Sequence, residues 1–369
     1  MWKYYQPVEV VFGNGELNNI GKYMEQRNFD RALIVADPIA VKMGITDKVM
    51  KAANGRVLAV ISEVEPNPTI QNINCCAQKA REIGAQCIIA IGGGSAIDCG
   101  KSTGVAVADN CSGEDLLAGH VIKASLPLIA IPTTSGTGSE VTAGAVISDK
   151  EKQIKSAIFS ESIFPKLAIV DPELTYSCPP SVTASTGIDV LAHALDSITS
   201  VKSQPATDAL ALKAAKLVLE NLEKAVADGN DKFARENMSM ASVIAGLAFS
   251  QTGTTGSHAC SYILTAKYRV PHGEACAFTL DSWMIINAKE KPILDEYAKE
   301  LGFENTDGLA IRINELKTKF GMKLTLKDVG IQEEDLAEVV NSCLQSGNMK
   351  NNLAQIGFEG VYSLYHNKR

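Results

Sequence analysis

Short apolar runs alternate with longer amphipathic stretches through the first half of the chain. The runs follow one another as Arg31–Ala36, Val57–Ile61, Cys87–Ile91 and Leu128–Ile131. Continuous apolar runs of this length are typical of strands buried on both faces of a parallel sheet. The stretch Ile70–Ile83 has helical periodicity and separates two of them. This alternation predicts parallel βαβ units with helices on both faces of the sheet.

The pattern changes near Cys178, where two prolines follow a polar segment of the kind that forms linkers. Beyond this point the apolar positions recur with helical spacing. The clearest helical stretches are Ala206–Ala227, Met238–Ala248, Lys291–Lys299, Leu309–Lys319 and Glu333–Cys343. We therefore predict an α/β domain over residues 1–178 and an all-α domain over residues 179–369.

The composition narrows the classes of partner. The 369 residues include 35 Lys and Arg against 42 Asp and Glu, which gives a net charge of −7. No basic stripe is visible, so a nucleic acid is not an expected partner. No apolar run reaches the length of a membrane span, and the first residues lack the apolar core of a signal peptide. The nine cysteines show no C-x-x-C spacing, which predicts reduced thiols and a cytoplasmic location.

The second half carries a candidate metal site. Asp189 and His193 are four residues apart in an apolar, helix-forming stretch, so a helix would place both on one face. An isolated pair of this kind is more commonly a first-turn aspartate and a buried core histidine. His258 and His272 change the balance, because the chain has only five histidines and these two also lie beside small residues. One carboxylate and three imidazoles suit ferrous iron or zinc and leave a position open for a substrate oxygen.

The first half carries a candidate phosphate site. Gly92–Ser95 follows a buried strand and precedes a helix, where backbone N–H groups can approach an anion closely. The motif is neither G-x-G-x-x-G nor a P-loop, and a tight βα turn explains it equally well. The polar loop Thr133–Glu140 also follows a strand, which favours the phosphate interpretation. Asp37, at the end of its strand, either accepts hydrogen bonds from a ribose or forms a simple turn with Pro38.

These motifs occur in an order that resembles the iron-containing (group III) alcohol dehydrogenase family over nearly the full chain. The matching segments are Phe12–Gly15, Pro66–Thr69, Gly92–Ser95 with Asp98 and Lys101, Thr133–Glu140, Asp171–Pro172, Gly187–His193, Gly256–His258 and Pro271–Gly273. The resemblance implies a dehydroquinate synthase-like fold, with a Rossmann-like α/β domain that binds a dinucleotide and an all-α domain that binds the metal. The active site is expected in the cleft between them.

The resemblance also implies which residues bind the cofactors. The metal ligands would be Asp189, His193, His258 and His272. The residues that contact the nicotinamide dinucleotide would be Asp37, Asn67, Gly93, Gly94, Ser95, Asp98, Thr133, Thr134, Thr142 and Lys155. An acid at position 37 would repel a 2′-phosphate, so NAD is favoured over NADP.

The implied activity is hydride transfer between NAD and a small alcohol or aldehyde, with iron(II) or zinc polarising the substrate oxygen. His258 and His272 would act at the catalytic centre. Many family members carry a further histidine, often assigned to proton relay, four residues after the ligand at position 258. Tyr262 stands there in this chain and is the catalytic candidate at that position. The family also implies a homodimer or higher homo-oligomer.

Three other functions share part of this pattern. A glycerol dehydrogenase normally uses fewer histidine ligands and zinc. A metal-dependent lyase of the dehydroquinate synthase type holds and recycles NAD, but that family lacks the Asp-His-His-His set. A nucleotide-binding protein without catalysis would have no use for an intact ligand set. Net NADH formation or consumption with a panel of alcohols and aldehydes distinguishes the three.

Polar residues around the second histidine suggest a class of substrate. Thr252, Thr254, Thr255 and Ser257 precede His258, and Ser261 follows it. Lys267 and Arg269 lie between the two ligands His258 and His272. Hydroxyls and a cation near the metal would suit a short aldehyde with a phosphonate, sulfonate or carboxylate group. The alternative is that the two cations are solvated loop charges and that the threonines pack through their methyl groups.

Overall fold

The computed structural model describes residues 1–152 and 154–368, and this part of the chain forms two compact units. One unit is Gln6–Ser177, and the other joins Met1–Tyr5 to the residues from Cys178 onward. The predicted boundaries place the first five residues in the α/β domain. They belong to the helical unit because Tyr5 and Gln251 exchange two hydrogen bonds, of 3.0 and 2.7 Å, between backbone and side-chain amide.

The first unit is built on a six-stranded parallel sheet. Its strands lie in the order β1-β8-β5-β4-β2-β3, and every neighbouring pair is parallel. An antiparallel hairpin, β6 with β7, stands apart from this sheet. The strands are β1 Glu9–Phe12, β2 Ala32–Ala36, β3 Val57–Ile61, β4 Cys87–Gly92, β5 Leu128–Pro132, β6 Gly144–Asp149, β7 Ile154–Phe159 and β8 Leu167–Val170.

The central strands are buried on both faces, as their continuous apolar runs predict. Leu33 packs into one hydrophobic core and its neighbour Ile34 into the other, because successive strand residues point to opposite faces. Ile73 and Ile97 cover the first face, and Ile20 covers the second. The helices of this unit are α1 Ile20–Gln26, α2 Pro38–Lys42, α3 Ile45–Ala52, α4 Ile70–Glu82, α5 Gly94–Ala108 and α6 Gly113–Leu117. The predicted α/β class is confirmed.

The second unit is helical throughout its core. Helix α7 packs against α8, α9 and α11, and alanines at this interface allow close approach. The helices are α7 Pro180–Ile198, α8 Pro205–Ala227, α9 Lys232–Thr252, α10 Gly256–Ala266, α11 His272–Glu290, α12 Ile293–Glu300, α13 Thr306–Lys319, α14 Leu326–Val329, α15 Leu336–Gln345 and α16 Phe358–His366. The predicted helix over 333–343 begins as a 3-10 turn at Glu333–Asp335 and becomes α-helical at Leu336.

No helix within residues 1–152 and 154–368 has both the length and the apolar character that crossing a bilayer requires.

Candidate functional site

Three helices of the second unit carry the predicted metal ligands. Asp189 and His193 are one turn apart on α7, and both are buried. His258 is the third residue of α10, and His272 is the first residue of α11. Pro271 precedes α11, where the fixed φ of proline suits the start of a helix. The fold therefore brings residues that are distant in sequence to the same part of the unit.

Four donor groups converge at this point. Ligand atoms of Asp189, His258, His272 and Cys276 all lie within 4.8 Å of one another. Cys276 is one turn beyond His272 on α11, and its Sγ lies 3.8 Å from His272 Nε2. The sequence prediction omitted this thiol, although the spacing H-x-x-x-C places two donors on one helix face as D-x-x-x-H does.

His193 lies directly beside these donors. Its ring stacks on Phe249 at a centroid distance of 4.3 Å and on His258 at 4.6 Å. Its role as a metal ligand stays a prediction.

Two of the converging atoms have the environment of a metal ligand. Asp189 Oδ1 and His258 Nε2 are both buried and lie 3.7 Å apart. Neither atom has a hydrogen-bond partner in the part of the chain that the structure describes. Leaving a buried carboxylate oxygen and a ring nitrogen unbonded is costly. An ion about 2.0–2.3 Å from each ligand would hold neighbouring ligand atoms about 3.3–3.8 Å apart, so a divalent cation fits this pair.

Asp196 fixes the orientation of His258. Its Oδ2 is 2.8 Å from His258 Nδ1 and also accepts the Thr255 N–H at 2.7 Å, while Oδ1 accepts the Ser257 hydroxyl at 2.8 Å. The carboxylate is buried, and it ties the start of α10 to α7. A proton on Nδ1 leaves the Nε2 lone pair for a metal. Sequence reasoning missed this role, whose only signal is that Asp196 lies two turns after Asp189.

The pKa values of three of these groups are shifted upward. Burial raises the pKa of Asp189 to about 6, against the opposing influence of His258. Burial alone would lower the pKa of His258, but the adjacent Cys276 and Asp196 raise it well above its usual range. Burial also raises the pKa of the Cys276 thiol to about 11. A bound cation would displace protons from these groups, because metal ligands must be deprotonated.

The polar residues near His258 have structural partners. The hydroxyl of Thr252 donates to Ser197 at 3.1 Å, and that of Thr255 pairs with Thr199 at 3.2 Å. Tyr262 lies one turn beyond His258 on α10, and its hydroxyl accepts a hydrogen bond from Asn348 Nδ2 at 2.8 Å. The catalytic role of Tyr262 stays a prediction.

The contacts of Lys267 argue against the interpretation that this residue binds an anionic substrate. Its ammonium forms ion pairs with Asp335 at 3.0 Å and Glu338 at 2.6 Å, so two carboxylates already offset its charge. Arg269 is exposed and lies in the turn between α10 and α11. Of the two cations, Arg269 is the one left as the candidate.

In the first unit, the glycine motif lies where the strand order reverses. In the sheet, β2 lies between β3 and β4. The chain passes from β2 to β3 on one side and then crosses to β4 on the other side, so the carboxyl ends of β2 and β4 are neighbours. Ligands of open α/β sheets bind at such a point. Gly92 has a φ of 147°, and a Cβ there would lie 2.3 Å from Asp37 Oδ2. Only glycine fits, and α5 begins two residues later at Gly94.

Asp37 caps a helix as well as ending a strand. Its Oδ1 accepts the Ala40 N–H of α2 at 2.7 Å, and its Oδ2 accepts the Gly93 N–H at 3.3 Å. The turn with Pro38 is therefore present. A carboxylate oxygen can accept more than one hydrogen bond, so these contacts leave capacity for a ribose hydroxyl.

Several other predicted cofactor residues meet near the start of α5. The Asn67 N–H donates to Ser95 Oγ at 3.1 Å, and Lys155 Nζ donates to Asn67 Oδ1 at 2.8 Å. Thr133 follows β5, and its N–H donates to the Gly92 carbonyl at 3.0 Å. Thr134 lies against Gly93, since a Cβ on that glycine would be 3.4 Å from Thr134 Oγ1.

Asp98 and Lys101 brace the loop that follows β5. Asp98 accepts the Ser139 hydroxyl at 2.6 Å and the Val146 N–H at 2.9 Å. The buried Lys101 ammonium donates to Thr142 Oγ1 at 3.2 Å and to the Gly144 carbonyl at 2.7 Å. Burial lowers the pKa of Lys101 to about 8. These bonds hold the loop against α5, a positioning role that the sequence motif did not reveal.

Two family models match this chain. "Iron-containing alcohol dehydrogenase" matches residues 7–172, and "Fe-containing alcohol dehydrogenase family, C-terminal" matches residues 183–368. The chain belongs to the iron-containing alcohol dehydrogenase family. The predicted family, fold class and oxidoreductase activity are therefore confirmed.

Relatives with known activities resemble the chain over most of its length. Alcohol dehydrogenase 4 of Schizosaccharomyces pombe is 35% identical over 352 residues, which are 93% of this chain and 83% of that protein. The 1,3-propanediol dehydrogenase of Citrobacter freundii is 33% identical over 366 residues, 95% of each chain. The crystal structure of sulfoacetaldehyde reductase from Bifidobacterium kashiwanohense with NAD+ matches at a TM-score of 0.96 and 39% identity, covering 100% of this chain and 98% of that one.

Proposed function

We propose that this family member is an NAD-linked, metal-dependent reductase of a short aldehyde that carries an anionic group, with the alcohol dehydrogenase reaction as its reverse. The convergence of four donor groups supports the metal dependence, because two of their buried atoms have no hydrogen-bond partner among the residues that the structure describes. Likeness to a sulfoacetaldehyde reductase at 39% identity supports the anionic aldehyde. A polyol dehydrogenase or a lyase is less favoured.

The metal would be held by Asp189, His193, His258 and His272. The family implies iron(II), and the same donors also suit zinc. A bound divalent ion supplies Lewis acidity that polarises a carbonyl or lowers the pKa of an alcohol. Asp196 keeps the His258 ring in the tautomer whose Nε2 faces the other donors. Asp189, His193 and His258 are each buried, and shielding from water strengthens electrostatic interactions with a substrate oxygen.

The first unit would hold the dinucleotide. The N-terminal end of α5, at Gly93–Ser95, presents backbone N–H groups and a positive dipole end to a pyrophosphate. Asn67 and Lys155 add an amide and a cation beside Ser95. NAD supplies the hydride acceptor and donor. Asp98, Thr133, Thr134 and Thr142 would shape the loop that lies against it. We further propose a homodimer or higher homo-oligomer in the cytoplasm.

Cofactor preference tests the role of Asp37. We expect wild type to use NADH in preference to NADPH, because the carboxylate accepts ribose hydroxyls and repels a 2′-phosphate. Asp37→Asn removes the charge and keeps one acceptor oxygen, which can still accept the Ala40 N–H, while the weaker 3.3 Å bond from the Gly93 N–H is lost. The substitution should narrow the ratio of kcat/KM for NADH over NADPH by about tenfold, equivalent to about 1.4 kcal/mol. A wild-type enzyme that prefers NADPH would contradict this role.

Substrate charge tests the role of Arg269. Its φ of 57° is left-handed, so Arg269→Gly removes the guanidinium without adding backbone strain. We expect the variant to raise KM for sulfoacetaldehyde about tenfold or more, since a charged hydrogen bond contributes about 1.5–3 kcal/mol. KM for propionaldehyde, a neutral aldehyde of similar carbon length, should stay almost unchanged.

Lys267→Ala is the matched control for that experiment. It removes a cation from the same turn, but one that is already paired with Asp335 and Glu338. The control should leave the ratio of the two KM values at its wild-type level. Equal effects of Arg269→Gly on both aldehydes would remove Arg269 from the substrate site. Wild-type turnover of the neutral aldehyde alone would contradict the anionic substrate itself.

A further inference from the structure

Asn348 connects two hydroxyl groups that flank the predicted metal ligand His258 in the sequence. It lies in the 3-10 turn Gly347–Asn351, which packs against α10. Its Nδ2 donates to Thr254 Oγ1 at 2.8 Å and to the hydroxyl of Tyr262 at 2.8 Å. Thr254 comes four residues before His258, and Tyr262 comes four residues after it. The three side chains therefore form one polar group next to the proposed metal site.

The direction of these hydrogen bonds leaves both hydroxyl protons available. An amide nitrogen carries two hydrogens, and Asn348 uses one on each hydroxyl. Each hydroxyl therefore accepts one bond and keeps its own O–H as a donor. Among the described residues, neither Thr254 Oγ1 nor the Tyr262 hydroxyl bonds to any further group. Accepting a bond from the amide also polarises each O–H, which makes it a stronger donor.

We propose that Thr254 and Tyr262 bind the anionic group of the substrate through these two O–H donors, and that Asn348 positions them. This inference rests on the proposed function, because it assigns the residues that recognise the anion in that active site. The two hydroxyl oxygens lie about 5 Å apart, since the two N–H bonds of one amide diverge by about 120°. Two donors at this spacing can each bond to a different oxygen of one sulfonate, phosphonate or carboxylate.

Tyr262 brings this pair of donors close to the metal ligands. It follows His258 by one turn of α10, so the two side chains lie on the same face of the helix. Tyr262 is 38% exposed, so a ligand can reach it. In sulfoacetaldehyde a single CH2 group separates the carbonyl carbon from the sulfonate. A substrate with its carbonyl oxygen at the metal site therefore holds its anionic group nearby.

The alternative is that Asn348 only fastens the 3-10 turn to the rest of the helical unit. Other bonds already do this. Asn351 Nδ2 donates to the Thr254 carbonyl at 3.3 Å, and the Val201 N–H donates to the Asn351 carbonyl at 2.8 Å. The turn is therefore held without Asn348, and a structural tie would not require a tyrosine that is partly exposed. Both observations favour a role toward a ligand.

Thr254→Val and Tyr262→Phe test the two donors in the metal-loaded, full-length enzyme with NADH. Each variant removes one hydroxyl and nearly keeps the shape of the side chain. We expect each to raise KM for sulfoacetaldehyde about tenfold or more relative to KM for propionaldehyde, because a hydrogen bond to a charged group is lost. The effect should be larger on KM than on kcat. Asn348→Asp should raise the KM ratio further, since a carboxylate accepts both hydroxyl protons and repels the anion.

Tyr268→Phe is the matched control. It removes a tyrosine hydroxyl just after α10 that has no hydrogen-bond partner among the described residues. It should leave the KM ratio at its wild-type level. Metal content and Tm of each preparation separate loss of the fold from loss of binding. The two hydroxyl variants are independent, so misfolding of one leaves the other decisive.

Two results would overturn the proposal while leaving the proposed function intact. One is an equal effect of the hydroxyl variants on both aldehydes, which would make the three residues structural. The other is a fall in kcat with an unchanged KM ratio, which would give Tyr262 a role in proton transfer and not in anion binding. Wild type that turns over only the neutral aldehyde would overturn the proposed function as well.

Discussion

His258→Ala lowers kcat/KM for aldehyde reduction by at least about a thousandfold and releases most of the bound metal. The substitution removes the Nε2 atom that faces Asp189 Oδ1 at 3.7 Å. Without the ion, several kcal/mol of charge stabilisation in the transition state is lost, and about 4 kcal/mol corresponds to a factor of about a thousand. His272→Ala should act in the same way. Turnover and metal content, measured on the same preparations, check the result.

His366→Ala is the control for both variants. His366 is in the helical unit too, but its ring stacks on Tyr362 at 5.9 Å, and it is not among the converging donors. It should keep metal and turnover. If His258→Ala and His272→Ala retained wild-type metal and activity, the assignment of the site would be wrong. Thermal unfolding of each variant separates loss of metal from loss of the fold.

Gly273→Ala lowers the Tm and reduces metal occupancy, although it adds only one methyl group. A Cβ at this position would lie 1.9 Å from the Ser185 carbonyl oxygen of α7 and 2.9 Å from Asp189 Cβ. A backbone oxygen cannot rotate away as a side chain can, so α11 must move from α7. Overpacking costs about 1–3 kcal/mol, equivalent to about 2–12 °C in Tm for a unit of this size. Calorimetry and metal analysis check both effects.

Gly347→Ala is the matched control, since a Cβ built there would lie more than 4 Å from any packed neighbour among the described residues. It should leave the Tm and the metal content nearly unchanged. A Gly273→Ala protein with wild-type stability and a full metal complement would show that the close approach of α7 and α11 is not required to assemble the site.

Local patterns predicted much of this fold. The continuous apolar runs marked the strands because each central strand is covered on both faces, as Leu33 and Ile34 illustrate. The D-x-x-x-H spacing placed Asp189 and His193 on one helix because the helix repeat is local. Two further histidines joined the candidate site because histidine is scarce in this chain and both lie among small residues.

The remaining features depend on contacts between distant segments. Cys276 reads as an ordinary core thiol until α11 is packed beside α7 and α10. Asp196 and His258 are 62 residues apart in the sequence, and they become partners only when the chain is folded. Lys267 looked like a substrate cation because Asp335 and Glu338, which offset its charge, are 68 and 71 residues away. Neither periodicity nor spacing within a segment encodes these pairings.

Metal dependence of NADH oxidation is the most direct test of the proposed reaction. One preparation is analysed for iron and zinc and assayed with NADH and a short anionic aldehyde, before chelation, after chelation and after reloading. We expect about one divalent ion per chain. Turnover should fall in proportion to the metal removed and return with iron(II) or zinc. A fully metal-free protein that oxidises NADH at the original rate would contradict the account.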